Sequence, residues 1–320
     1  MSLPKKAVLV GINYSSIPGI TLRGCINDVI NMSHTLTDAF DYDMNNITIL
    51  RDDIQNANLS PTRNNILSQL VNLVNQSANL SEIWFHYSGH GSQIRDTNSD
   101  ETDKLDELIV PVDYKKNGFI VDDEIFNIIK NAKCRTIMIF DSCHNGSICD
   151  LKWMFEYNNA TKTITKSINS GKQVVNPNIF VFTGCKDTQT SADAYSIDAQ
   201  QSVGAFTDTF LYCLRKNRMN VDIVKLYNDI CLTIKSKGFT QTPVLSCSSE
   251  IPSFAFSRTT NSPTVNTKTI ISSSSVNLST TLKNIVFNDV IVTAQPEVLR
   301  DVVLDRFSNR RGTMGKLVFL

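Results

Sequence analysis

Two short segments carry residue types suited to acyl transfer: Tyr87-Ser88-Gly89-His90-Gly91 and Asp141-Ser142-Cys143-His144-Asn145-Gly146. Each closes an apolar, strand-like run, EIWFHYS (82–88) and RTIMIFDS (135–142). In open α/β sheets, ligands bind outside the carboxyl ends of the strands. His90 and Cys143, distant in sequence, can therefore meet at one sheet edge. An imidazole beside a thiol lowers the thiol pKa and later protonates the departing amine. The glycines flanking His90 leave room for substrate to approach the backbone. His144 adjoins Cys143 in sequence, and such a neighbour usually points elsewhere. An alternative use of the same types is a zinc site of His86, His90, Cys143 and Cys149. It is disfavoured because His86 lies inside its strand, away from the mouth.

The elements that must position these groups follow from hydropathy patterning. Strand-like runs occur at 6–13, 46–52, 82–88, 135–142, 178–185 and 242–248, with a short extended piece at 108–114. Pro111 argues for an edge position of that last piece. Helical spacing marks 24–40, a stretch starting at Ser60-Pro61, 122–132, 203–217 and 220–237. Ser60 is expected to cap the second helix, with Pro61 as its first residue. Strands alternating with helices imply an α/β fold with a mostly parallel six-stranded central sheet flanked by helices. Residues 151–177 are polar and weakly patterned and read as an exposed loop.

Of the 320 residues, 41% are hydrophobic and 19% charged, enough apolar material for a real core. Lys plus Arg and Asp plus Glu both total 31. That balance argues against nucleic acid as a partner, since binding it needs a basic excess. No apolar run is long enough to span a membrane. MSLPKKAVLVGINY leads straight into a strand without a signal-peptide pattern, so a reducing, cytoplasmic setting is expected. None of the eight cysteines has CxxC spacing. From Ser257 to Thr281, 14 of 25 residues are Ser or Thr, which reads as a linker. The chain is thus expected to divide into 1–257 and an extension, 258–320, with strand-like and helix-like pieces but no assignable motif. The extension carries 8 basic and 4 acidic residues, leaving the first 257 at a net −4.

YSGHG followed by DSCHNG resembles the p20 region of metacaspases, the caspase-fold cysteine peptidases. The resemblance continues through LRGCINDV (22–29), DETDKLDELIVPVDY (100–114), GFIVDDEIF (118–126), TGCKDTQTSADA (183–194), GAFTDTFLYCL (204–214) and QTPVLSCS (241–248). It covers about residues 5–257, with a p20-like part to about 150 and a p10-like part from 178. No Pro/Gln-rich prodomain or zinc finger precedes it, as in a type I core stripped of its prodomain. The site departs from the QAC signature of true caspases.

The resemblance implies Cys143 as nucleophile and His90 as acid/base, without a required third triad member. It implies an oxyanion hole from the backbone N–H groups of Gly91 and Cys143. It implies cleavage of proteins or peptides after Arg or Lys, in an acidic pocket formed by Cys25, Asp28, Ser88 and Asp141. A carboxylate at the pocket base favours a cationic side chain. It also implies a monomer. The stretch 96–124 holds ten Asp or Glu and three Lys. Self-repulsion this dense is relieved by Ca²⁺, which takes several carboxylate oxygens. By motif, the calcium ligands of the family fall on Asp106, Asp122, Asp123 and Asp150; no organic cofactor is expected. A weaker reading is an EF-hand-like loop of Asp96, Asn98, Asp100 and Glu107, where Glu101 replaces the expected glycine. Lys152, Lys162, Lys166 and Lys172 in the loop 151–177 suit self-cleavage by such an enzyme. The rival reading is a caspase-fold interaction or protein-quality-control module in which cleavage is secondary.

Overall fold

A computed structural model describes residues 3–95, 105–142, 146, 148–169, 172–185, 193–196 and 201–259. The described core lies in one unit, Met1–Asn261. The linker and extension from residue 260 lie outside the described residues, as do 96–104 with most of the EF-hand-like loop.

In chain order the elements are β1 (Lys5–Gly11), α1 (Cys25–Phe40), β2 (Ile47–Arg51), α2 (Arg63–Gln76), β3 (Glu82–Ser88), β4 (Gly91–Arg95) and β5 (Leu105–Ile109). Next come α3 (Tyr114–Asn117), β6 (Ile120–Val121), α4 (Asp122–Ile129), β7 (Arg135–Asp141), β8 (Trp153–Asn158), β9 (Thr163–Ile168) and β10 (Ile179–Thr183). The last are β11 (Asp193–Ser196), β12 (Gln201–Gly204), α5 (Ala205–Lys216), β13 (Val221–Asp222), α6 (Ile223–Ser236), β14 (Val244–Cys247) and β15 (Ala255–Phe256).

The central sheet runs β2-β1-β3-β7-β10-β14-β8-β9. Pairings from β2 through β10 are parallel; those from β10 to β14, β8 and β9 are antiparallel. The sheet therefore has eight strands instead of the expected six. The two additional strands form a hairpin inside 151–177, which is not an open loop. Outer strand β9 is exposed at all but one position, so it has no apolar alternation to betray it. The piece at 108–114 overlaps β5, which belongs to a separate three-stranded sheet, β4-β5-β6. The second helix begins later than expected: Thr62 caps it, its Oγ1 accepting from the Asn65 N–H.

Strand side chains alternate between faces, and both faces of this sheet are covered. Leu9, Trp84, Ile137, Ile139 and Phe182 pack with α1, α5 and α6. Val8, Val10, Phe85, Met138 and Phe140 pack with α2 and α4. Two-sided burial explains the near-continuous apolar runs of β1, β3 and β7. The chain leaves β1 for β2 on one side and returns to β3 on the other, a topological switch of the kind that opens a crevice at the carboxyl edge.

Candidate active site

β3 and β7 are neighbours, with Ser88 opposite Asp141. In sequence, His90 and Cys143 each follow that pair by two residues. The Gly89 N–H donates to the Asp141 carbonyl at 3.3 Å, tying the two loops together. Cys143 itself lies outside the described residues. Its predecessor Ser142 is buried, and its carbonyl accepts from the Cys185 thiol at 3.1 Å.

His90 is half-buried and held from several sides. Nε2 lies 2.7 Å from the Ile20 carbonyl oxygen. A carbonyl only accepts, so Nε2 carries a proton and Nδ1 is the nitrogen left to exchange one. The His90 N–H donates to the Tyr14 hydroxyl at 3.0 Å, and that hydroxyl donates to the Val110 carbonyl at 2.6 Å. The Tyr87 hydroxyl donates to the His90 carbonyl at 2.7 Å. The Tyr14 and His90 rings stack at a tilt, centroids 4.7 Å apart. Tyr14 reaches this position from the end of β1 through a left-handed backbone, φ 52°. Gly91, the proposed oxyanion donor, opens β4 opposite Ile109.

The four expected pocket residues gather on the α1 side of the same edge. Asn13, just after β1, accepts from the N–H groups of Cys25 and Ile26 at 3.1 and 3.4 Å. It thereby caps α1 from outside and fixes its first turn, which carries buried Cys25 and Asp28. The Ser88 hydroxyl donates to Asp28 Oδ2 at 2.6 Å, and the Gly204 N–H donates to Asp28 Oδ1 at 2.9 Å. Asp141 Oδ2 accepts from the Thr207 N–H, in the first turn of α5, at 2.8 Å. A helix N-terminus suits a carboxylate there. Asp28 and Asp141 are 1% and 5% exposed, so both carboxylates are buried and these donors help to hold them.

Gly204 adjoins the expected pocket residues, and sequence reasoning missed it. A Cβ at this position would collide with the carboxylates of both Asp28 and Asp141. The two acids thus close on one Cα. Gly24 is constrained likewise, since its Cβ would lie 2.5 Å from the Val203 carbonyl carbon. GAFT and GCIND stand in the sequence as recognisable strings; the clue was the glycine in each.

The zinc alternative fails on geometry. His86 is fully buried on the α5 side, Nε2 lying 3.2 Å from the Thr207 hydroxyl. Burial pushes its imidazole down to about 3. Cys149 packs in the opposite core, against Met138.

The expected calcium ligands lie around the start of α4. Asp122 accepts from the Glu107 and Asp123 N–H groups at 2.9 and 2.7 Å. Its carboxyl is pushed up to about 7, first by burial and then by the charge of Asp150. Asp106 precedes Glu107 on β5 and is also buried. Lys172, unforeseen here, donates to Asp123 Oδ1 at 2.8 Å and to Asp150 Oδ2 at 2.7 Å. Among the described residues, no three His, Cys, Asp or Glu side chains converge as metal ligands do. The donor set nonetheless fits a hard divalent cation. It is all oxygen, Asp150 Oδ1 is buried without a partner, and an ammonium already stands between two of the carboxylates.

Comparisons with known proteins give the family and the fold. Residues 5–152 match the family model described as metacaspase, peptidase C14 domain. Metacaspase-1A of Aspergillus oryzae is 36% identical over 288 residues, covering 76% of this chain and 68% of that one. The chain belongs to the metacaspase family. Its chemistry is accordingly that of a cysteine peptidase acting on proteins. Metacaspase-1B of Neurospora crassa is also 36% identical, over 76% of this chain and 66% of that one. The metacaspase match thus spans about two thirds of each relative. Caspase-1 of Spodoptera frugiperda shares the fold, with a TM-score of 0.51 at 10% identity, covering 82% of this chain and 93% of that one. A protein from Geobacter sulfurreducens gives 0.53 at 20% identity, over 78% and 94%. No helix among the described residues is long and apolar enough to cross a membrane.

Proposed function

We propose that this metacaspase is an endopeptidase cutting after Arg or Lys, with Cys143 as nucleophile and His90 as acid/base. The observation that carries the specificity is the convergence of Asp28 and Asp141 on Gly204, at the carboxyl edge that also bears His90. Two buried carboxylates brought together at one point favour a cationic side chain there. The Cys143 thiolate attacks the scissile carbonyl, whose oxyanion is received by the N–H groups of Gly91 and Cys143. His90 Nδ1 protonates the leaving amine, then takes a proton from the water that hydrolyses the acyl-enzyme.

Ca²⁺ would be held by Asp106, Asp122, Asp123 and Asp150, where it would neutralise a self-repelling cluster. Asp150 lies seven residues after Cys143 in sequence, which supports a link between the cluster and the nucleophile. Self-processing is supported best at Lys162, exposed in the turn between β8 and β9. Lys166 is committed to β9, and Lys172 to its ion pairs. A reducing, cytoplasmic setting is supported by free thiols at all seven described cysteines. The same reading makes the enzyme a monomer.

The test is turnover of fluorogenic Arg- and Asp-terminated peptides, in Ca²⁺ and in EGTA, by wild type and Cys143→Ala. Cleavage of the Arg peptide alone, stimulated by Ca²⁺ and lost in the variant, is expected. Retained turnover in Cys143→Ala, or preference for Asp, rejects the reading; equal rates in EGTA remove the metal from it.

A further inference from the structure

We propose that Lys172 is a built-in counter-ion of the Asp123 and Asp150 carboxylates, and that a divalent cation enters the cluster by exchange with it. The side chain then sets the cation concentration at which the cluster fills. The inference rests on the reading that this cluster takes Ca²⁺, and adds how that site is regulated.

Lys172 Nζ bridges Asp123 Oδ1 at 2.8 Å and Asp150 Oδ2 at 2.7 Å. Asp150 is 1% exposed, and its Oδ1 has no partner. One ammonium therefore leaves a buried carboxylate oxygen unpaired, whereas a divalent cation offers two charges and takes six or more oxygens. Both cannot sit at this point, because a second cation within about 4 Å of the ammonium would be repelled by its charge. The carboxylates stand apart from coordination geometry, as expected where an ammonium spaces them.

The lysine is also placed to leave. It lies in the irregular segment between β9 and β10, its side chain 22% exposed. Its flexible stem, with the ammonium 5.2 Å from the Phe126 ring centroid, can swing into water without breaking a helix or strand. Asp150, by contrast, is fixed in a left-handed backbone, φ 43°, beside buried Cys149 and Leu151. Exchange would free the lysine's segment while the acids stay in place.

The experiment is calorimetric titration of the full chain with CaCl₂ in the Cys143→Ala background, which removes self-cleavage. Lys172→Met, Lys172→Arg and Asp150→Asn are compared with the intact lysine. Lys172→Met should bind Ca²⁺ about tenfold more tightly, since the competing charge is gone. Lys172→Arg should stay near the parent, and Asp150→Asn should lose binding. Without cation, Lys172→Met should melt earlier than the parent and recover with CaCl₂ but not with NaCl of equal ionic strength. Should it fold only with CaCl₂, that recovery is the same result. Equal Ca²⁺ affinity with and without the lysine overturns the exchange and leaves the calcium reading standing. Absence of binding in every variant overturns both.

Discussion

Asp28 and Asp141 meet across Gly204 and take hydrogen bonds from backbone N–H groups and a serine hydroxyl. Asp123, in the first turn of α4, and Asp150, between β7 and β8, share a lysine ammonium. The donors seen on the first pair are neutral and built into strand and helix ends. The second is held by a charge carried on a connecting segment. Neutral donors stabilise a carboxylate without cancelling its charge, which is what the proposed pocket for a cationic side chain requires. An ammonium cancels the charge, so under the proposed exchange the second pair gives up its partner when a cation enters.

The sharpest break of the first pair is Asp28→Asn. It keeps the shape and removes the charge, so kcat/KM on an Arg peptide should fall by about 10³-fold, the scale set by losing a buried charge pair. An effect below tenfold would mean that Asp28 is only a structural carboxylate for Ser88 and Gly204. Gly204→Ala tests convergence without changing charge. Its methyl would collide with both acids, and activity should fall by about 10²-fold, with a loss of about 2 kcal/mol of stability from overpacking. Wild-type activity in that variant would show that the two carboxylates are free to separate.

Asp122→Asn examines the other group, in EGTA so that no cation intervenes. The folded carboxyl is raised to about 7 against an ordinary value near 4. The stability this contributes is present at low pH and is lost as pH rises through 7. Wild type should therefore lose ground to the amide between pH 5 and pH 8, by about 2 kcal/mol. His86 acts in the opposite sense, because its neutral form is buried and acid must charge it. It is common to both proteins, so it cancels in the difference. Melting curves at the two pH values read the result; a constant gap between wild type and variant would contradict the assignment.

Legibility in the sequence divides along physical lines. The six apolar strands and the amphipathic α1 were legible because burial on two faces, or on one helical stripe, writes a periodic pattern. His90 stood out as a polar group closing an apolar strand, while Asp28 and Asp141 were marked as pocket residues by the family resemblance. The β8–β9 hairpin was hidden because its outer strand faces water at nearly every position. The cap at Thr62 was displaced from Ser60 because a serine followed by proline carries the same signal two residues early. Lys172 had no pattern at all: a lysine in a polar segment reads as solvated until its partners are seen. The Ile20 carbonyl that orients His90 is backbone, and any residue would supply it.

That backbone contact points to the smallest of the expected effects. His90 belongs with the neutrally held group: Ile20 and Tyr14 fix it through a carbonyl and a hydroxyl. Tyr14→Phe keeps the ring against His90 and removes only the hydroxyl, leaving the His90 N–H and the Val110 carbonyl short of a partner. Tyr87 still holds the His90 carbonyl, so the loop should stay in place while the imidazole is less well aimed. kcat should fall about tenfold with KM nearly unchanged, since the proposed arginine pocket is built from other residues. The pH dependence separates positioning from mere stability. A misplaced imidazole lowers the plateau of the kcat profile at every pH, whereas a weakened fold lowers the melting temperature and leaves kcat of the folded fraction intact. Loss of stability without loss of kcat would assign Tyr14 to the fold alone.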